Sequence, residues 1–67
     1  MSAVEYTLCK SSRYGDTISI ATFAELEDAV SFAEANPCNP KYSEYFIQKA
    51  ETSYTRLSMK KAKEMVK

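Results

Sequence analysis

The sequence predicts a small α+β domain of order β-β-α-β-α. A three-stranded antiparallel sheet has one face covered by a central helix, and a short helix ends the chain. Three observations lead there. Two segments near the N-terminus alternate apolar and polar residues at period two on either side of Gly15, the only glycine. From residue 23 the apolar residues then recur at spacings of three and four, the period of an amphipathic helix. Pro37 and Pro40 close that stretch before a third segment rich in aromatic and β-branched residues.

Each element has its own justification. In residues 3–10, Val4, Tyr6 and Leu8 share one face and Glu5, Thr7 and Cys9 the other, as in a half-buried strand. Ser11, Ser12, Gly15 and Asp16 supply a hairpin loop, Gly15 being free to take a positive φ. Residues 17–21 form the second strand, with Ile18 and Ile20 opposite Thr17 and Ser19. Thr22 and Glu25 have the spacing of a capping box, with Ala21 and Leu26 as a weak staple, which predicts a helix opening at Thr22. Its apolar stripe is Phe23, Leu26, Val30 and Ala33, widened by Ala29 and Phe32. Asn36 is placed for a left-handed C-cap. Residues 42–50 form the third strand, in which Phe46 and Ile47 must face opposite sides. The stretch from 51 to 58 can be a short strand YTRL or the lead into the last helix; the reading favoured is a helix from near Ser58. That helix puts Met59, Ala62 and Val66 on one stripe, with Met65 beside them and Lys60, Lys61, Lys63 and Lys67 outside. It either packs beside the sheet or projects as a frayed tail.

Composition limits function more than it reveals it. Sixty-seven residues hold one small domain and not two cores. Nine basic against nine acidic residues leave no global field of the kind a nucleic-acid coat protein uses. The chain has no histidine, the usual proton shuttle and metal ligand near neutral pH. Glu25, Glu27, Asp28 and Glu34 read as a solvated helix face, since nothing marks a desolvated cleft between paired carboxylates. Cys9 and Cys38 lack an activating base, are too few for a structural zinc site and too few for a disulfide scaffold. Gly15 lies in a hairpin, so no glycine-rich turn is placed to cradle phosphate. The expectation is a non-enzymatic protein without cofactor or metal. No apolar run approaches the about 18 residues that cross a bilayer, and the N-terminus is too polar for a signal-peptide core, so a cytoplasmic location is expected.

The distribution of charge says more than its total. Residues 1–36 carry two basic and six acidic side chains, net −4, and residues 37–67 carry seven basic and three acidic, net +4. The acidic helix could simply lie near the basic tail, though exposed pairs contribute under about 1 kcal/mol each. The other reading is that one pole steers a partner of opposite sign. Lys60 and Lys61 fall in the first turn of the last helix, where cations oppose the macrodipole, as in a solvated tail or a patch kept for an acidic or phosphate-bearing partner. Five tyrosines exceed what so small a core can bury, and Tyr14, Tyr42 and Tyr54 are expected outside. Tyrosine and arginine dominate interface hot spots, which makes Arg13 with Tyr14 a candidate anchor. The candidate partner-binding residues are therefore Arg13, Tyr14, Tyr42, Tyr54, Arg56, Lys60 and Lys61.

The strand-loop-strand segment, the TFAELEDAVSFA helix and the EYFIQKA strand resemble, over residues 3–50 and at the level of pattern, the plan of many small phage and mobile-element proteins. Some of those inhibit host defence or transcription machinery. The resemblance implies a protein-binding inhibitor that acts by occlusion or scaffolding, and it assigns no residues. A homodimer is a second expectation for so small a core, with Tyr45 or Phe46 at the self-interface. The alternative function is a nucleic-acid-binding regulator using Lys49, Arg56, Lys60, Lys61 and Lys63, with Tyr54 as the one clear stacking residue.

Overall fold

The computed structural model describes residues 4–39 and 41–66. The chain runs β1 (Glu5–Ser12), β2 (Thr17–Phe23), α1 (Leu26–Ala35), β3 (Ser43–Ala50), β4 (Tyr54–Ser58) and α2 (Met59–Met65). All strand pairs are antiparallel, in the order β2-β1-β3-β4. The α+β class holds, with four strands in place of the three expected. Ala3, at the expected start of the first strand, Pro40, and Lys67, expected on the outer face of the last helix, lie outside the described residues.

One row of side chains across the sheet organises the molecule. Ala21 of β2 lies opposite Leu8 of β1, Leu8 opposite Ile47 of β3, and Ile47 opposite Leu57 of β4. Leu8 and Ile47 are fully buried, and Leu26, Ala29, Val30 and Ala33 of α1 with Ala62 of α2 close over the row. Each such side chain taken from water contributes about 1.5–3 kcal/mol. Tyr6, Phe23, Tyr45, Met59 and Val66 pack around the rim. The last helix therefore docks on the core and does not project: its stripe of Met59, Ala62 and Val66 is the one its period predicts.

The fourth strand is the segment that sequence reading left between strand and helix. A single residue in β4, Leu57, is buried, because only there does the strand meet the apolar row. Five residues with one buried side chain give too short a pattern for periodicity to mark. The helix that follows does begin where expected: Ser58 is its N-cap, accepting from the Lys61 amide at 3.2 Å.

Two further expectations are corrected. Helix α1 opens at Leu26 and not at Thr22, with Glu25 as an N-cap that makes no side-chain cap bond. Thr22 and Phe23 instead extend β2 opposite Thr7 and Tyr6, the two threonine hydroxyls lying 3.2 Å apart. Continuing the ladder and placing Phe23 on the core outweigh a capping box, a device worth about 1 kcal/mol. At the other end Asn36 has φ −128°, so it is not a left-handed cap; its amide and its Nδ2 both donate to the Phe32 carbonyl, at 3.1 and 3.0 Å.

The β1–β2 loop turns on Ser12, whose Oγ accepts from the amides of Tyr14 (3.2 Å) and Asp16 (3.3 Å), while Gly15 takes φ 94°. A β-bulge on β2 puts Ala21 opposite Leu8 but Ser19 opposite Cys9, leaving Ile20 unmatched. The bulge inverts the face alternation, so Ile18 and Ala21 lie on the helix side while Ser19 and Thr22 lie on the open side.

Leu8→Ala and Ile47→Ala should each cost about 2–5 kcal/mol, a large share of the stability of a domain this size, read as a fall in urea midpoint. Ser58→Ala should cost about 1 kcal/mol through loss of a cap. Thr22→Ala, by contrast, should stay within about 0.5 kcal/mol of the parent in thermal melts.

Candidate functional site

The sequence-derived candidates separate into three places. Arg13, Tyr14 and Tyr42 gather at the β1–β2 end of the sheet, where the Arg13 amide donates to the Tyr42 carbonyl at 2.8 Å and its Nη1 to the Lys41 carbonyl at 3.4 Å. Tyr14 is 85% exposed there. A shallow depression of about 460 Å³ lies among Ser12, Arg13, Lys41 and Tyr42. Tyr54 is exposed at the opposite end, paired with Ala50. The span of β3 puts about 25 Å between Tyr42 and Tyr54, so the tyrosines do not form one surface.

Arg56, Lys60 and Lys61 do come together, with Lys63, along a groove of about 910 Å³. Ala33, Pro37, Cys38, Tyr45, Phe46 and Arg56 also line it. The groove exists because β4 is shorter than β3. Only Phe46–Ala50 pair with β4, and at Ser58 the chain leaves the sheet to begin α2. No described strand therefore pairs with Ser43–Tyr45 on that side.

The backbone of that segment is oriented by its neighbours. The Tyr42 carbonyl points to the β1 side, where it accepts from Arg13, and the Ser43 carbonyl points away from it, where it accepts from Cys38 Sγ at 3.4 Å. Alternation along a strand turns the Tyr45 amide and carbonyl the same way as those of Ser43, into the groove. The Tyr45 hydroxyl donates to the Asn36 carbonyl and ties the end of α1 over β3. The segment is thus held by hydrogen bonds at both sides.

Electrostatically the groove is mixed but mainly basic, with Arg56, Lys60, Lys61 and Lys63 against Glu34 and Glu44. Among the described residues the one ion pair is Lys49 Nζ to Glu51 Oε2 at 3.9 Å, at the β3–β4 turn and away from the groove. The acidic face of α1 and the lysines of α2 therefore form no direct pairs, although the two helices pack together. Arg56 lies over the Phe46 ring, its Cζ 4.0 Å from the centroid, a contact worth about 0.5–1 kcal/mol at an exposed site.

Sequence reading missed Phe46, Tyr45 and Glu44 as groove residues. The signal was partly present, because Phe46 and Ile47 had to face opposite ways; its stacking partner follows only from the β3–β4 register. Glu25, Glu27, Asp28 and Glu34 are all exposed, and no group of three or more His, Cys, Asp or Glu among the described residues could hold a metal ion. Cys9 is 3% exposed, although it lies on the sheet face that the helices do not cover, whereas Cys38 is partly exposed at the groove. One thiol should react promptly with a disulfide reagent and the second only at the rate of opening, with Cys38→Ser removing the fast phase.

No known protein family, curated protein or solved structure matches this chain.

Proposed function

We propose that this protein is a non-enzymatic binding module that holds an extended acidic segment of another protein in the groove and thereby occludes it. The observation that carries this reading is the convergence of Arg56, Lys60, Lys61 and Lys63 beside the end of β3 that β4 does not reach. The Ser43 amide and carbonyl are already bonded to Asn39 and Cys38, which leaves the Tyr45 amide to meet an added strand, and the cations select for carboxylates along it. Glu34 and Glu44 in the same groove argue for a shaped mixed-charge contact more than for a phosphate track. The groove and the Arg13–Tyr42 depression share Ser43 and Glu44, so a larger partner reaches Arg13, Tyr14 and Tyr42 by continuing past the groove. The resemblance in pattern to small phage and mobile-element proteins supports a host protein as the partner and inhibition as the outcome.

A second reading has its own observation. Arg56 stacked on Phe46 beside three lysines is also a geometry in which one nucleotide base and its phosphates could be held. The two readings separate in a titration followed by amide chemical shifts, using an aspartate- and glutamate-rich decapeptide in one arm and an oligothymidylate in the other. The peptide should move the resonances of Ser43–Phe46 and Lys60–Lys63, and the pair Lys60→Glu with Lys61→Glu should weaken it about tenfold or more. If the oligonucleotide alone moves those resonances, the nucleic-acid reading replaces the first. In capture from nuclease-treated lysate, Tyr14→Ala and Tyr42→Ala should weaken retention of a full partner while leaving the decapeptide unaffected.

A further inference from the structure

Strand β2 is an edge whose one protective feature is the bulge at Ile20. Its seven residues, TISIATF, hold no charge, no proline and no glycine, and β1 occupies only one side of it. Sheet edges in soluble proteins are ordinarily protected by lysine, proline, shortness, a bulge or a covering element. The other edge has such protection: β4 is only five residues long, carries Arg56 and runs directly into α2. Beside β2 the helix side is apolar. Ile18 is 58% exposed, and Phe32 of α1 is 36% exposed while it leans on Phe23, the ring centroids 5.7 Å apart.

We infer that β2 pairs with β2 of a second copy, antiparallel across a two-fold axis, to make one continuous eight-stranded sheet. Charge argues for a second copy as the occupant. An isologous contact sets the same patch against itself, so any net charge on the edge would meet its own sign; β2 has none, while both poles of the molecule do. The core argues the same way. Among the described residues it holds nine buried apolar ones, three of them alanine, with both cysteines free, and chains this small commonly complete their stability by association. Tyr45 and Phe46, the self-interface residues expected from sequence, are otherwise engaged: Tyr45 is tied to α1 and Phe46 lies under Arg56.

The bulge at Ile20 restricts the register. Because the bulge inverts the alternation, residues 18, 21 and 23 face the helices while 17, 19 and 22 face the open side. Pairing Ile18 with Phe23 of the other copy matches sides at both residues, sets Ser19 opposite Thr22 and brings the two bulges together at the centre. It also buries each Ile18 against the Phe23–Phe32 pair of its partner, giving two small apolar clusters under the joined sheets. A bulge in an edge strand deters pairing with a regular strand of another protein.

Sedimentation equilibrium on the full chain tests this from about 5 µM to about 1 mM, a range that brackets dissociation constants expected of a small interface. The parent should be a dimer in the upper part of that range. Its dissociation constant should change less than about threefold between low and high salt, since no charge is paired in the contact. Ile18→Lys and, separately, Ser19→Lys should each leave a monomer throughout, with the far-ultraviolet spectrum unchanged because both side chains are exposed. A parent that is monomeric at the top of the range overturns the inference, as does a dimer that survives both substitutions. If one variant misfolds, the other still decides.

Discussion

The row Ala21–Leu8–Ile47–Leu57 is the interaction on which the rest depends. It threads all four strands at one level, and both helices are amphipathic toward it. Helix α1 packs on β1 and β2 and α2 packs on β3 and β4, so neither helix covers the row alone. A cavity at Leu8 or Ile47 would therefore loosen two helix contacts and two strand pairings together. This is why a chain with so few large buried side chains can still specify one register: slipping any strand by one residue would lift its contribution to the row onto the open face.

The groove is the consequence of where the row ends. Leu57 is the last residue that β4 can bury, and one residue later Ser58 caps α2 and takes the chain out of the sheet. Strand β3, held by eight pairings with β1, continues past that point. Its surplus residues Ser43–Tyr45 have no described strand on that side, and the first turn of α2 carries Lys60 and Lys61 there. Those lysines oppose the helix dipole and lower the stability of a seven-residue helix. The helix tolerates them because Ala62, Met59 and Val66 anchor it on the core, so its charges are free to serve the groove.

What could be read from the sequence was what local period encodes. The β1–β2 hairpin, the body of α1, the third strand, the stripe of α2 and the exposure of Tyr14, Tyr42 and Tyr54 all follow from spacing and from Gly15. The misreadings came where a tertiary partner outweighed a local preference. Thr22 has the spacing of a capping residue but lies beside Thr7 in a ladder, and Phe23 fits a helical stripe yet also fits β2 opposite Tyr6. Strand β4 was illegible because its one buried residue is defined by Ile47, ten positions earlier. Of the seven candidate site residues, the three that meet in the groove do so through the β3–β4 register and the α1–α2 contact, neither of which leaves a trace in sequence spacing.

The two surfaces differ in a way that bears on how they would work together. The groove is charged and sits at the β3–β4 side, while the β2 edge is neutral and lies at the far side of the sheet, with β1 and β3 between them. A dimer joined through β2 would leave both grooves open at the two outer ends of an eight-stranded sheet. Two grooves on one rigid body engage a repeated or symmetric target by avidity, where the second contact is intramolecular and affinity rises without new chemistry. For a module with a few cations and no deep pocket, that gain is larger than any single side chain in the groove supplies. The plain, uncharged strand would then contribute to function through geometry, by setting the spacing of the two basic grooves.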